Sequence, residues 1–213
     1  MCFNWQTSLF TFLLGLVFSL LLIYKGNTKY NIENKVTGVF LIFIALIQFM
    51  DFLLWIDIHN KLGINKITTI LGPILNVCQP IILYLIKYFY YSLDINKLTK
   101  FDLFIAFLNI AYLIYFIIIY KKYLDTSNLI TGISDNHLKW PWIGYFNPIF
   151  YLILLPINIF YLFDFRYASL FFSITYIFLY ISSLYFNYNI GELWCFFGAF
   201  IPLILYYLSY YIL

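Results

Sequence analysis

Charge is what this chain has least of. Only 10% of its 213 residues are Asp, Glu, Lys or Arg, against about a quarter in ordinary soluble domains. Its 12 basic and 9 acidic side chains are too few to cover the surface that a water-soluble domain of this size presents. Lys121-Lys122 is the longest basic run, so nucleic acid has no electrostatic footprint here and is excluded as a partner. The three cysteines, Cys2, Cys78 and Cys195, are far apart and lack CxxC spacing, which argues against a zinc ribbon or a disulfide framework. Both histidines, His59 and His137, fall in expected loops, leaving an intramembrane zinc hydrolase without imidazoles and a haem bundle without axial ligands. G-x-S-x-G, phosphate-loop and H-E-x-x-H motifs are absent. No catalytic residue, metal or cofactor is therefore expected. With no lysine in the last apolar run, a retinal protein of the usual kind is disfavoured as well.

What is present is apolar and aromatic. The chain is 64% hydrophobic and 24% aromatic, with a mean hydropathy of +0.90. A bilayer core of ~30 Å takes ~20 residues of helix. Runs of that size tile the sequence at about 1–24, 36–56, 67–91, 103–120, 143–163, 168–186 and 193–213. The first lacks the basic start and small-residue cleavage site of a secretory signal, so it reads as a retained helix. Pro73, Pro80, Pro148 and Pro156 lie inside two of the runs, where neighbouring helices or water can satisfy the carbonyls that proline frees. Closed β-barrels need alternating segments of ~10 residues, whereas these runs are apolar on every side. The expected fold is an all-α, polytopic transmembrane bundle of about seven spans, one integral membrane domain over 1–213 with no repeat or Gly/Ser linker. The wealth of Phe, Tyr, Ile, Asn and Lys points to an AT-biased genome, as in many large DNA viruses and some protists, and a viral source would make the membrane that of a host.

Lys and Arg in short loops set orientation. With the N-terminus outside, inner loops hold Lys25, Lys29, Lys35, Lys97, Lys100 and Arg166, and outer loops hold Lys61, Lys66, Lys121, Lys122 and Lys139. This small excess places the N-terminus outside and the C-terminus in the cytoplasm.

Ionisable side chains within a span are costly unless they face the bundle interior, which singles out Asp51. Gln48, Asp51 and Trp55 follow i, i+3, i+7 spacing along one stripe of the second run. Asn76 and Gln79 form an i, i+3 pair before Pro80, and Glu192 opens the last run with Cys195 one turn on. At 1.5 Å per residue Asp51 lies ~10 Å from its helix end, Asn76 and Gln79 ~14 to 18 Å into theirs, and Glu192 and Cys195 within ~6 Å. Antiparallel succession puts all of them in the leaflet that holds the N-terminus. Two readings stay open: a polar pocket walled by these seven residues, or interhelical hydrogen bonds that only hold the bundle together. Lys87, near the end of its run, is expected to snorkel. Tyr88-Phe89-Tyr90-Tyr91 and the tyrosines at 206, 207, 210 and 211 read as interfacial belts.

The opening Met1-Cys2-Phe3-Asn4-Trp5-Gln6-Thr7-Ser8-Leu9, the string Ile47-Gln48-Phe49-Met50-Asp51 with Leu54-Trp55, and Leu193-Trp194-Cys195-Phe196 resemble a group of small, mostly bacterial polytopic membrane proteins. That group opens with Met-Cys-Phe-Ser-Ala-Thr-Ala-Ser-Phe, carries Gln-Gln-x-x-Glu-Gly-x-x-Trp in its second helix and ends near Leu-Trp-Cys-Phe. Asp51 stands in place of its Glu and Phe52 in place of its Gly. The resemblance implies a membrane bundle over the whole length, and no particular activity. A metal or redox pair at Cys2 and Cys195 is weighed against two packed thiols.

The function expected is therefore binding or passage of a small solute, ion or lipid through a pocket in one leaflet, with membrane lipid as the surrounding partner. The competing classes are a non-catalytic membrane protein acting through partners, and a lipid-modifying enzyme using Asp51 or Glu192 as general base.

Overall fold

Asn4 starts the first helix, its side chain accepting from the Thr7 amide at 2.8 Å and so satisfying one of the donors a helix N-terminus leaves unpaired. In the computed structural model, which describes residues 4–91, 98–134, 137–185, 194 and 196–211, this helix α1 covers Trp5–Lys25 and buries Ser8, Thr11, Gly15, Ser19 and Leu22. That row of mostly small side chains lets a second backbone come close. The second backbone is α2, Asn31–Ile56, reached through a single 3-10 turn at Thr28–Tyr30. A Cβ on Gly15 would stand 3.1 Å from Ala45 Cβ, and one on Gly38 would stand 2.4 Å from Ile23 Cγ1. α2 is the central element: half of its apolar window is buried, against 22% for the peripheral α5 described below.

The run expected at 67–91 is two helices, α3 (Ile64–Val77) and α4 (Gln79–Tyr91), meeting at 67°. The break follows from proline chemistry: Pro80 offers no N–H to carry the ladder across, and its ring crowds the preceding turn. Inside α3, Pro73 likewise leaves the Thr69 carbonyl without its ladder donor. Tyr123 supplies the donor instead, its hydroxyl 3.0 Å from Thr69 O. Tyr123 belongs to α5, Lys100–Thr126, whose Thr99 and Asp102 form a reciprocal capping box. The same helix sends the Tyr120 hydroxyl to Ile70 O at 3.0 Å and that of Tyr112 to Val77 O at 2.9 Å. Its other faces carry exposed Phe104, Phe107, Ile110, Ile114, Ile117 and Ile118, the surface expected of a helix bathed in lipid.

Between α5 and the next helix the chain makes a short antiparallel hairpin, β1 (Gly132–Ser134) with β2 (His137–Lys139), and then buries Trp140 and Trp142. The hairpin is tied to α3 by Asn65, which donates from Nδ2 to Thr131 O and accepts from Thr131 N, both at 2.9 Å. Helix α6, Pro148–Leu162, begins on the Asn147 cap with proline in its first turn, where the missing N–H costs nothing. Pro156 inside it frees the Leu152 carbonyl, and again a tyrosine answers: Tyr176 of α7 (Phe165–Tyr185) donates to Leu152 O at 2.7 Å. Helix α8, Ile201–Tyr211, returns to α1, with Asn27 Nδ2 on Ser209 O and the Tyr210 hydroxyl on Lys25 O, both at 2.7 Å.

The fold is an all-α transmembrane bundle. Of the seven apolar runs, the helices at Trp5–Lys25, Thr28–Ile56, Lys100–Thr126 and Phe165–Leu184 are long and apolar enough to cross a membrane singly, and the bent α3–α4 pair has that length and hydropathy only when its two helices are taken together, as a broken span or a re-entrant loop. α6 is apolar but shorter, at 15 residues, because 141–146 form turns under the two tryptophans where the sequence pattern continues the helix. In the last run the described helix α8 has 11 residues.

Candidate functional site

Five of the seven residues singled out from sequence are among the described residues, and they fall into two neighbourhoods. Gln48 and Asp51 meet α1 and the Trp140 loop. The Thr11 hydroxyl donates to Gln48 Oε1 at 2.9 Å, and Trp140 Nε1 donates to Asp51 Oδ1 at 3.0 Å. Both α2 side chains are buried, and Gln48 Nε2 is enclosed with no hydrogen-bond partner among the described residues. Trp55, on the same stripe, is half-buried and packs against the apolar core.

Asn76 and Gln79 lie elsewhere, at the α3–α4 bend, where they line a cavity of about 640 Å³. α6 contributes Tyr151 and Leu152, α7 contributes Tyr176, Tyr180 and Ser183, and Trp142, Phe146 and Trp194 complete much of the wall. Gln79 is 1% exposed and its Oε1 accepts from the Tyr151 hydroxyl. Trp194 is anchored by donating from Nε1 to Thr175 O at 3.4 Å. No Asp, Glu, Lys, Arg or His is among the described lining residues.

The two neighbourhoods touch through the tryptophans. Trp140, held by Asp51, stacks on Trp142 with centroids 5.0 Å apart and planes at 19°. The benzenoid edge of Trp142 occupies the space left by Gly72 of α3: a Cβ there would fall 2.3 Å from Trp142 Cη2. Asp51 therefore reaches the cavity at one remove, by fixing the ring that backs one of its walls.

A third polar group escaped sequence reasoning. Asn109 of α5 and Asn158 of α6 exchange side-chain amide bonds at 3.0 and 2.9 Å, and Asn158 Nδ2 also donates to Pro80 O at 2.8 Å. Single asparagines in long apolar runs were the available signal. The α5 tyrosines were equally legible as a row at 112, 120 and 123, but only the tertiary structure shows that all three reach carbonyls of α3, one of them the Thr69 carbonyl that Pro73 frees.

At the opposite end of α4, Lys87 is half-buried with Nζ 3.7 Å from the Tyr161 ring centroid, a cation–π contact rather than a simple extension to the headgroups. Tyr161 in turn donates to Asp102. In the α2–α3 turn, outside the spans, Asp57 accepts from the amides of Leu62, Ile64 and Asn65 at 3.0, 2.8 and 3.2 Å. Burial pushes its pKa up, but the backbone donors of Leu62, Asn65, Ile64 and Lys61 together outweigh this and hold the carboxyl below its usual value. Cys78 is a buried free thiol. Among the described residues no three His, Cys, Asp or Glu side chains come together as a metal site. Glu192, Cys195 and Cys2, and with them the pairing considered for the two thiols, lie outside the described residues.

Comparison with family models, with curated proteins and with solved structures gives no match to this chain.

Proposed function

We propose that this small multi-pass membrane protein binds, or passes, a small molecule held within the bilayer in the cavity at the α3–α4 bend. The observation that carries the proposal is the cavity itself: about 640 Å³ falls within the range of sites that take drug-sized ligands. Its wall also has the usual composition of such sites, apolar over most of its area, with six aromatic rings and a few amides. Gln79 and Asn76 are the amides at the bend, Asn147 and Ser183 add polar groups already bonded to Ile149 N and Tyr180 O, and Asp51 positions the wall through Trp140 and Trp142. By the antiparallel order of the helices the cavity belongs to the leaflet on the N-terminal side. The loop lysines favour that side being outside, and a reporter on the C-terminus reading non-cytoplasmic would reverse the assignment. The resemblance of the three sequence strings to small polytopic membrane proteins supports the same whole-length bundle.

The test is co-purification. Protein extracted in mild detergent should carry a non-covalent small molecule visible by native mass spectrometry, and Leu179→Trp, which fills the cavity, should lose it. Identical complements in the two proteins would sink the proposal. The second reading, a bundle that acts only through partners, draws its support from the reciprocal Asn109–Asn158 pair, which spends two buried amides on joining helices.

A further inference from the structure

The chemistry of the cavity narrows what it holds. We infer, on the basis of the binding role just proposed, that its ligand is an uncharged amphiphile: a flat ring system bearing one hydrogen-bond-accepting carbonyl, entering from the lipid. Three observations converge. First, no described lining residue is ionisable as an acid or base near neutral pH, so an ion would lose its hydration with no opposite charge among the described lining residues to compensate it. Second, the wall is formed by the rings of Trp142, Phe146, Tyr151, Tyr176, Tyr180 and Trp194, which suit offset or edge contact with another ring.

Third, the polar end is biased towards donation. Gln79 is almost wholly buried, and its acceptor oxygen is already taken by Tyr151. Its side-chain nitrogen makes no hydrogen bond to a described residue, so the group it leaves available at the cavity is a donor, which calls for an acceptor on the guest. The route follows from the rim. Ile143, Asn147 and Tyr180 line the cavity and are also exposed, Ile143 at 36% and Tyr180 at 64%, and the helices that supply its walls, α6 and α7, carry exposed Ile149, Ile153 and Ile177. A mouth set in such a surface opens to hydrocarbon rather than to water.

The experiment uses the full chain in phosphatidylcholine nanodiscs and tritiated 2-acetylnaphthalene, read by scintillation proximity. Unlabelled 2-acetylnaphthalene, naphthalene, naphthalene-2-carboxylate and 2-naphthylmethylammonium are the competitors. Saturable binding is expected, lost in the filled variant Leu179→Trp. Naphthalene, lacking the carbonyl, should compete about tenfold less well, the scale of one hydrogen bond, and both ions less well again. Gln79→Leu should erase the advantage of the carbonyl, while the ranking of competitors is read on the unmodified chain and does not depend on that variant folding. Competition by the carboxylate or the ammonium equal to that of the ketone would overturn the inference and leave a binding cavity standing. Naphthalene competing as well as the ketone would overturn the acceptor requirement. Absence of saturable binding, or binding untouched by Leu179→Trp, would remove the cavity as a site altogether.

Discussion

The α1–α2 pair and the group formed by α3 to α7 meet the same demand, apolar rods that must satisfy their own backbone in lipid, in opposite ways. α1 and α2 are unbroken by proline and approach through Gly15, Gly38 and Ala45 until little room is left between them. In the other group Pro73, Pro80 and Pro156 interrupt the ladders. Tyrosines 123 and 176 reach across to two of the freed carbonyls, and the bend leaves a cavity beside it. Small residues make a joint, and broken helices with long phenolic donors make a chamber. The polar side chains that border open space are then found where the backbone is interrupted rather than where the acid is buried.

Substitutions can break this contrast, and the largest effect should fall on the joint. Gly38→Ala puts a methyl against Ile23 Cγ1 at 2.4 Å and 3.0 Å from the Ser19 backbone oxygen; the oxygen is fixed by its helix and the β-branched Ile23 must leave its rotamer, so the change should cost about 3 kcal/mol. Gly72→Ala meets the tip of Trp142, which has the cavity beside it, and should cost only about 1 kcal/mol while reducing ligand retention. Thermal midpoints in detergent compare the two, and equal losses would erase the distinction between tight and loose halves.

Next in size is the link between the two. Asp51→Leu strips Trp140 Nε1 of its acceptor and should cost about 2 kcal/mol. Asp51→Asn, which keeps an oxygen in place, should cost less than half as much and leave ligand binding intact. A large loss of binding in well-folded Asp51→Asn would instead make the carboxylate itself a ligand group.

Tyr123→Phe and Tyr176→Phe should each cost about 1 kcal/mol by leaving a buried carbonyl unpaired. Combining Tyr176→Phe with Pro156→Ala restores the ladder N–H to Leu152 O, so the penalty for losing the hydroxyl should shrink. A double-mutant cycle with no coupling would show that the tyrosine is not the substitute donor.

The smallest effect is the pH response of Asp57. Its folded pKa lies below the unfolded one, so its contribution to stability is complete above the unfolded value of about 4 and disappears as pH falls through the folded value. Wild type should lose thermal stability between pH 5 and pH 3 (about the carboxylate range) more steeply than Asp57→Asn, and superimposable curves would remove the loop carboxylate from the account.

The helical membrane fold was legible because it rests on composition and run length, quantities that need no neighbours. So was the polarity of Gln48, Asp51, Asn76 and Gln79, since amides and acids stand out in hydrocarbon. Their grouping was not legible: a shared leaflet gives depth but not azimuth, and α2 and the α3–α4 bend present their polar residues to different partners. The start of α6, expected at about 143, was misplaced for a similar reason, because Ile143, Tyr145 and Phe146 are as apolar as a helix yet lie in the turn and bend that follow Trp142, whose ring is seated in the space at Gly72.

What the sequence determined alone is the solvent this protein requires and the rods that result, because the transfer of apolar side chains and the need to pair every amide act residue by residue. Only the tertiary structure decided which tyrosines answer the carbonyls left bare by Pro73 and Pro156 and where the bend at Pro80 leaves room. Those outcomes depend on distances between side chains dozens of positions apart, which no run of neighbouring residues encodes.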